Sequence, residues 1–527
     1  MKKKILPFNK QKFEELKKDV KQSGITAVFS DPTFPATSKS LGHVQFPSEI
    51  IWKRPGELCS APRLFNNIEA PSRCKPGELT CDWMVSACAV LSGIKELLHK
   101  IIPDYWDQEW DPSKPDEYCG IFHFRFWQFG EWVDVVIDDA LPTYDGMLIS
   151  VQGESESEFW AALLEKAYAK LHGSYEALRE SSLSDILVDT TAGVSQVIDL
   201  KGEEYMSNED KRWELFETLI SENNDHSIIC FTISSEEDEI GLRTDLGLKI
   251  GLAYHVTDVR KLQKISVIFV RQLIIIYSHF IFLYLRIPFE DLMSQFTQLT
   301  ICRLFANNLF AAPIHQWFEA SARGEWTTGV KWTSADKAGG SLDPETLFRN
   351  PQYLFILKEE TDIVVQLMQW NPDIPPGETL KHLIGFLIVK VEDNRTTRLH
   401  KQWSHCPTVI MHDHQRKRDI NYMGHLCEGR YVIIPSTYKQ GETAAYFLRL
   451  FTSHNIKLRL VLAIVLSHNI LIPNQLIGEA EVPALVTRSF TPLQVKLIQK
   501  QKDLEAMPKA CGSLFLQVLT EDNLMAI

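Results

Sequence analysis

The sequence predicts an α+β protein, in which a mixed helical and hairpin-containing region precedes an antiparallel β-sandwich. Three observations predict it. The run Phe122-His-Phe-Arg-Phe-Trp-Gln-Phe-Gly-Glu-Trp-Val-Asp-Val-Val-Ile alternates with period two on either side of Gly130, a hairpin pattern that puts Phe122, Phe124 and Phe126 on one face. Trp160, Leu163, Leu164, Ala167 and Leu171 make one apolar stripe at helical spacing across 159–171, and Gly173 stops it. From Gln316 to Thr452, short apolar runs such as Tyr353-Leu-Phe, Gly385-Phe-Leu-Ile-Val-Lys-Val and Tyr431-Val-Ile-Ile-Pro are punctuated by Gly and Pro. That texture, sustained over about 140 residues, is the pattern of a sandwich.

The remaining segments follow in chain order. Residues 1–25 read as a short basic helix carrying Phe13, Leu16 and Val20, then a linker. Asp31-Pro-Thr-Phe-Pro and Trp52-Lys-Arg-Pro are turn-rich. Val85, Cys88, Ala89, Leu91 and Ile94 fall near helical spacing, which predicts a helix over 84–99. The tail from Asn455 to Ile527 is strand-like but short for a sandwich of its own.

Composition bounds the function. The chain has 527 residues and a formal net charge of -13, so a general nucleic-acid binder, which needs a basic surface, is excluded. Its ten cysteines, scattered from Cys59 to Cys511, contain no Cys-x-x-Cys pair, which argues against a zinc framework. The basic amino terminus lacks the apolar run of a secretory signal, so the expectation is reduced thiols and a cytoplasmic protein.

Ile265 to Leu285 is long and apolar, interrupted by Arg271, Gln272 and His279. Three readings stay open: a membrane span, a pair of buried strands rich in Ile, Val, Phe and Tyr, or sequence that is not native coding sequence.

Several motifs share one resemblance. Phe29-Ser-Asp-Pro-Thr-Phe-Pro-Ala, Ile51-Trp-Lys-Arg-Pro, the Gly120–Asp139 hairpin, Glu158-Phe-Trp-Ala-Ala-Leu-Leu-Glu-Lys-Ala-Tyr-Ala-Lys and Asn350-Pro-Gln-Tyr resemble calpain landmarks, in calpain order. Glu109-Trp-Asp-Pro and the lack of an EF-hand loop make the chain most similar to atypical calpains that end in a C2 domain. The resemblance implies a two-lobed papain-like core, an antiparallel β-sandwich and a partial C2-like β segment. The boundaries it suggests are an anchor helix and linker at 1–25, lobe 1 at 26–188, a divergent and partly deleted lobe 2 at 189–312, the sandwich at 313–452 and half a C2-like domain at 453–527. It also implies calcium-dependent cytosolic cysteine endopeptidase activity.

The chemistry departs from that pattern. A thiol protease needs a cysteine at a helix N-terminus, a histidine within reach, an asparagine to orient it and an oxyanion donor. The family motif resembles Gln-Gly-x-x-Gly-x-Cys-Trp, and Pro76-Gly-Glu-Leu-Thr-Cys-Asp82-Trp83 stands in its place. Asp82 takes the nucleophile position and Pro76 that of the oxyanion glutamine. Ile250-Gly-Leu252-Ala-Tyr-His255-Val-Thr-Asp matches the histidine motif with Leu252 at the general-base position. The asparagine motif has no clear counterpart, Arg286-Ile-Pro-Phe being a poor imitation. Rescue by Cys81 with His255 is disfavoured. One residue on a helix turns a side chain by about 100°, and an odd offset on a strand reverses its face.

Calcium binding is eroded as well. Glu158 survives as a residual ligand of the family's first-lobe site, but Arg73 stands where a second carboxylate belongs, and calcium needs oxygen ligands. The second-lobe site falls in the segment replaced by 265–285. In the tail, Asn474-Gln-Leu-Ile-Gly-Glu-Ala resembles a late C2 strand pair with Asn474 in place of Asp. The apolar insert between family-like edges and the half C2 domain both point to an error in the gene model or an unusual splice form.

The expectation is therefore a catalytically inactive pseudoprotease acting as a scaffold. It would need no cofactor, with calcium limited to the eroded site, and would bind intracellular proteins, cytoskeletal ones among the candidates, with weak membrane association and no nucleic acid. The alternatives are an active calcium-dependent endopeptidase and a peripheral membrane adaptor.

Overall fold

The computed structural model describes residues 5–461, apart from 25–27, 45, 47–48, 69–70, 72, 80, 112, 114–116, 235–241, 246, 263–264, 277–278, 306–315, 331–334, 371–381 and 402–405. Nearly all of the 453–527 segment, the expected C2-like half, lies outside the described residues. The architecture is α+β, in two compact units: 1–318 with 372–379, and 319–371 with 380–527.

In the first unit, helix α1 (Phe13–Gln22) buries Phe13. That residue joins Phe29, Cys119, Ile121 and Val136 in a small core, with Leu16 and Val20 against it. The helix expected over 84–99 is two helices, α2 (Asp82–Ser92) and α3 (Lys95–Ile101), separated at Gly93 and Ile94. Glycine is a poor helix residue because fixing it costs more backbone entropy than other residues, and the chain breaks there. The predicted hairpin forms from β2 (Ile121–Gln128) and β3 (Glu131–Asp138), with Phe122 opposite Ile137 and Phe126 opposite Val133. A two-stranded ladder of β1 (Cys74–Lys75) and β4 (Gln152–Gly153) lies beside α2. Helix α4 (Trp160–His172) ends at Gly173, whose φ of 99° is the left-handed conformation that glycine supplies without strain. Helix α5 (Leu183–Thr191) starts with a capping box in which Ser182 and Asp185 bond each other reciprocally. These helices and the hairpin close one core that includes Phe122, Phe124, Phe126, Trp160 and Tyr168.

Helix α4 is buried on almost every side, including Glu165, Lys166 and Lys170. Buried charges require partners, and both lysines have them. The Lys166 Nζ donates to Asp138 at 2.5 Å and to the Ala140 carbonyl at 2.5 Å. The Lys170 Nζ donates to Asp31 at 2.6 Å, to the Val136 carbonyl and to Gln11. Gln11 in turn donates to Asp31 at 2.9 Å. The network clamps the chain entering α1 onto the hairpin and α4. Burial pulls both lysines below their ordinary values. Burial alone would raise Asp31, but Lys170 and the hydrogen bonds to it outweigh that and hold it low.

The same unit contains a six-stranded sheet in the order β9-β8-β7-β6-β10-β5. Its strands are β5 (Val194–Asp199), β6 (Ile228–Thr232), β7 (Ala253–Leu262), β8 (Ile265–Ile276), β9 (His279–Pro288) and β10 (Gln298–Arg303). Helices α6 (Glu209–Asn224) and α7 (Phe289–Gln295) supply Leu215, Phe216, Leu219, Phe289, Leu292 and Met293 to its core. The apolar stretch 265–285 is thus two strands, β8 and β9, paired antiparallel from Val267↔Pro288 to Ile276↔His279. Ile268 and Ile287 at the hairpin base are buried in this core. Among the described residues, no helix is long and apolar enough to cross a membrane.

The second unit is the expected antiparallel structure. One sheet has the order β11-β18-β13-β16, from β11 (Phe318–Trp326), β13 (Thr361–Trp370), β16 (Asp419–Leu426) and β18 (Ala444–Thr452). The other has the order β15-β14-β17-β12-β19, from β12 (Tyr353–Leu357), β14 (Ile384–Val391), β15 (Thr408–Gln415), β17 (Gly429–Thr437) and β19 (Arg459–Leu460). Inward-facing residues of both sheets share a core that includes Trp326, Ile363, Ile388, Ile433 and Leu448. Asn350, of the Asn-Pro-Gln-Tyr run, is fully buried; it donates to the Gly340 and Leu347 carbonyls at 2.8 Å and accepts from Gly339 N at 3.1 Å.

Candidate functional site

The candidate site forms where α2 meets the start of β7. Asp82 is the first residue of α2, and a carboxylate in the first turn is favourable there because the helix N-terminus carries partial positive charge. The side chain is half-buried, and that burial pushes its carboxyl above the ordinary range. No side-chain capping bond from Cys81 closes the helix; the Met84 amide bonds the Cys81 carbonyl at 2.9 Å.

Leu252 precedes β7 and packs with Ala253 against the core that contains α2. One hydroxyl joins the two segments. The Ala253 amide donates to Ser86 Oγ at 3.0 Å, and Ser86 Oγ donates to the Asp82 carbonyl at 3.0 Å. The chain at Ala253 is thereby tied to α2 at Ser86, one helical turn after Asp82. Ser86 carries this geometry, and the sequence reading passed over it. Its signal was a lone hydroxyl in the otherwise apolar run Met84-Val-Ser-Ala-Cys-Ala-Val-Leu.

Pro76 is exposed and its side chain offers no donor. The glycine after it lies flat on the neighbouring backbone, since a Cβ on Gly77 would come within 2.2 Å of the Ile149 carbonyl oxygen. The Leu79 amide donates to that same oxygen at 2.9 Å. The 76–79 turn is held by backbone contact, independent of any side chain at 76.

Cys81 and His255 take no part in this arrangement. The Cys81 sulfur lies 3.9 Å from the Leu178 carbonyl, on the turn following α4. Burial first, then the negative charges of Glu165 and Asp82, push its thiol up to about 11, with Arg179 partly opposing. A reactive thiol requires the opposite shift. His255 sits within the sheet on β7, opposite Cys230 on one side and Arg271 on the other.

The residues expected at the residual calcium site are used structurally. Glu158 is buried, and its Oε1 accepts the Asn66 amide at 2.9 Å. Glu109, from the Glu-Trp-Asp-Pro run and not from that site, likewise accepts the Leu64 amide at 2.8 Å. Arg73 is buried, a cation at the matched position. Among the described residues, no group of three His, Cys, Asp or Glu is placed to hold a metal.

Position 82 thus heads a helix, and position 252 immediately precedes a sheet strand that bonds that helix. Comparison with known proteins makes the class specific. The profile described as calpain family cysteine protease matches residues 29–274, and that described as calpain large subunit, domain III matches 323–451. The chain belongs to the calpain family. It is 36% identical over 475 residues to Calpain-5 of Mus musculus, covering 81% of this chain and 72% of that protein. It is 32% identical over 520 residues to Calpain-5 of Caenorhabditis elegans, covering 85% and 77% respectively. Calpain-8 of Mus musculus is 30% identical over 512 residues, covering 84% and 68%. These relatives agree with the resemblance to atypical calpains. A solved structure described as recombinant N-glycanase F (PNGase F), at 9% identity over 45% of this chain and 88% of its own, has a TM-score of 0.16 and carries no argument.

Proposed function

We propose that this calpain-family chain is a pseudoprotease, a scaffold that binds intracellular proteins at the cleft between its lobes without cleaving them. The observation that carries the reading is that Ser86 ties the chain beside Leu252 to the helix headed by Asp82. A thiol protease needs a nucleophile and a base at two such positions. Here one is a carboxylate with no thiol chemistry and the other a hydrocarbon that takes no proton. Pro76 removes a side-chain oxyanion donor besides. The thiol adjacent to Asp82 belongs to Cys81, which points to Leu178 and is held protonated.

The proposal places the protein in the cytoplasm, with no requirement for calcium in the first lobe, where Glu158 is committed to Asn66. It keeps the lobe boundaries at 26–188 and 189–312, the sandwich at 313–452 and a C2-like segment at 453–527. Incubation of the purified chain with casein and millimolar calcium tests it. The expected result is intact casein. Calcium-dependent cleavage that disappears in Cys81→Ser would overturn the reading.

A further inference from the structure

We propose that Cys74 and Cys88 are a redox-sensitive dithiol whose disulfide would staple β1 to the middle of α2. The placement is specific. Cys74 lies on β1, opposite Gly153 of β4, and Cys88 lies in the second turn of α2. β1 lies against α2, and Cys74 is near enough to Cys88 to help burial push the Cys88 thiol well above its ordinary range. Cys88 is fully buried in the first core, against which Cys74 packs. Cys74 is only half-buried, so an external oxidant has one sulfur to reach and a second waiting behind it. Reactive dithiols combine an accessible attacking sulfur with an adjacent resolving sulfur.

The other cysteines near these elements do not share that arrangement. Cys81 directs its sulfur toward the Leu178 carbonyl. Cys230 and Cys302 are both fully buried, on adjacent strands and two residues out of register, since Cys302 faces Ile228 and Cys230 faces Thr300. They form no pair with an exposed member.

Oxidised glutathione supplies a balanced route. The Cys74 thiolate attacks one sulfur of the glutathione disulfide, forming a mixed disulfide and releasing one glutathione thiolate, which takes up the proton Cys74 lost. Cys88 then attacks the Cys74 sulfur, the protein disulfide forms, and a second glutathione leaves with the Cys88 proton. Two protein thiols are oxidised and one glutathione disulfide is reduced to two thiols. The neighbouring Cys74 and burial both push the Cys88 thiol up and hold it protonated, so the second step is the slower one. The closed loop 74–88 contains both Pro76 and Asp82, so the redox state would set the freedom of the segment that heads the cleft.

The test uses the full chain, reduced and then equilibrated with glutathione disulfide, trapped with an alkylating agent and digested without reduction. Mass spectrometry is expected to find the Cys74 peptide joined to the Cys88 peptide, two hydrogens lighter than the separate thiols. In Cys88→Ala the Cys74 peptide is expected to stop as the glutathione adduct, and in Cys74→Ser the linked peptide is expected to vanish with no adduct at Cys88. Because the principal readout is on the unsubstituted protein, a variant that folds poorly does not decide the matter. An unsubstituted chain that stays reduced, that keeps the glutathione adduct at Cys74 unresolved, or that joins Cys74 to Cys81 would overturn the proposal.

Discussion

Replacing Asp82 with cysteine, alone and together with Leu252→His, asks whether these two positions face each other as a nucleophile and base would. Both variants are made in a Cys81→Ser background so that the neighbouring thiol is silent. Ser86, whose hydroxyl holds Ala253, is four residues along α2 from position 82, a rise of about 6 Å. If the two positions face each other, an imidazolium at 252 about 4 Å from a thiolate at 82 forms an ion pair worth about 4 kcal/mol at an effective dielectric near 20. That is about three pKa units, which would take a thiol from about 8.5 to about 5.5. At pH 6 the thiolate fraction would rise from about 0.3% to about 76%, roughly 240-fold, while the lower basicity cuts nucleophilicity by about twentyfold, leaving a net gain of about tenfold. The assay is the rate of reaction with an aromatic disulfide reagent from pH 5 to pH 9. The double replacement should react about ten times faster than the single one at pH 6 and lose that advantage near pH 9. A ratio within twofold at pH 6 would refute the facing geometry, and with it the assignment of Leu252 to the base position.

Two further predictions concern what holds this lobe together. Lys170→Met leaves the buried Asp31 carboxylate without its cation, an uncompensated charge that costs about 3–5 kcal/mol. Because Gln11 belongs to the same cluster, amide exchange in α1 should accelerate by at least a hundredfold, and Asp31→Asn added to Lys170→Met should recover much of the loss. Unchanged exchange in α1 would show that the clamp is incidental. The second concerns pH. Asp139 is held by Arg54 and Tyr118, yet burial outweighs Arg54 and Lys166 and raises its carboxyl to about 6. The folded chain therefore binds this proton more tightly than the unfolded one. The associated stability is fully present below about pH 4 and falls by about 3 kcal/mol as pH rises through 6. Denaturant unfolding of the chain and of Asp139→Asn from pH 4 to 7 should show a steeper decline in the unsubstituted protein, and parallel curves would exclude Asp139 as the source.

Local pattern made much of the fold legible. The hairpin around Gly130, the α4 stripe ended by Gly173 and the alternating strands of the sandwich all depend on residues a few positions apart, and period-two and period-3.6 patterns report such geometry directly. The spacing predicts a single helix over 84–99 because its apolar positions run through Gly93, where a backbone cost interrupts what the side chains continue. The 265–285 stretch was ambiguous for a related reason. A continuous apolar run has no period to separate a span from paired strands, and the antiparallel ladder to β7 is what makes it sheet.

The sequence by itself determined which chemical groups stand at the three positions of interest: a carboxylate at Asp82, a hydrocarbon at Leu252 and a ring without a side-chain donor at Pro76. It also determined the family order of the landmarks around them. Only the tertiary structure decided that the segment of Leu252 and Ala253 comes to α2, that Ser86 is the link, that Cys81 turns to Leu178, that Glu158 serves Asn66 and that the strand of Cys74 lies against the helix of Cys88. Each of these is a contact between segments far apart in the chain or on different elements. Such contacts are selected by packing of whole faces and by the need to satisfy buried polar groups, quantities that no local spacing encodes.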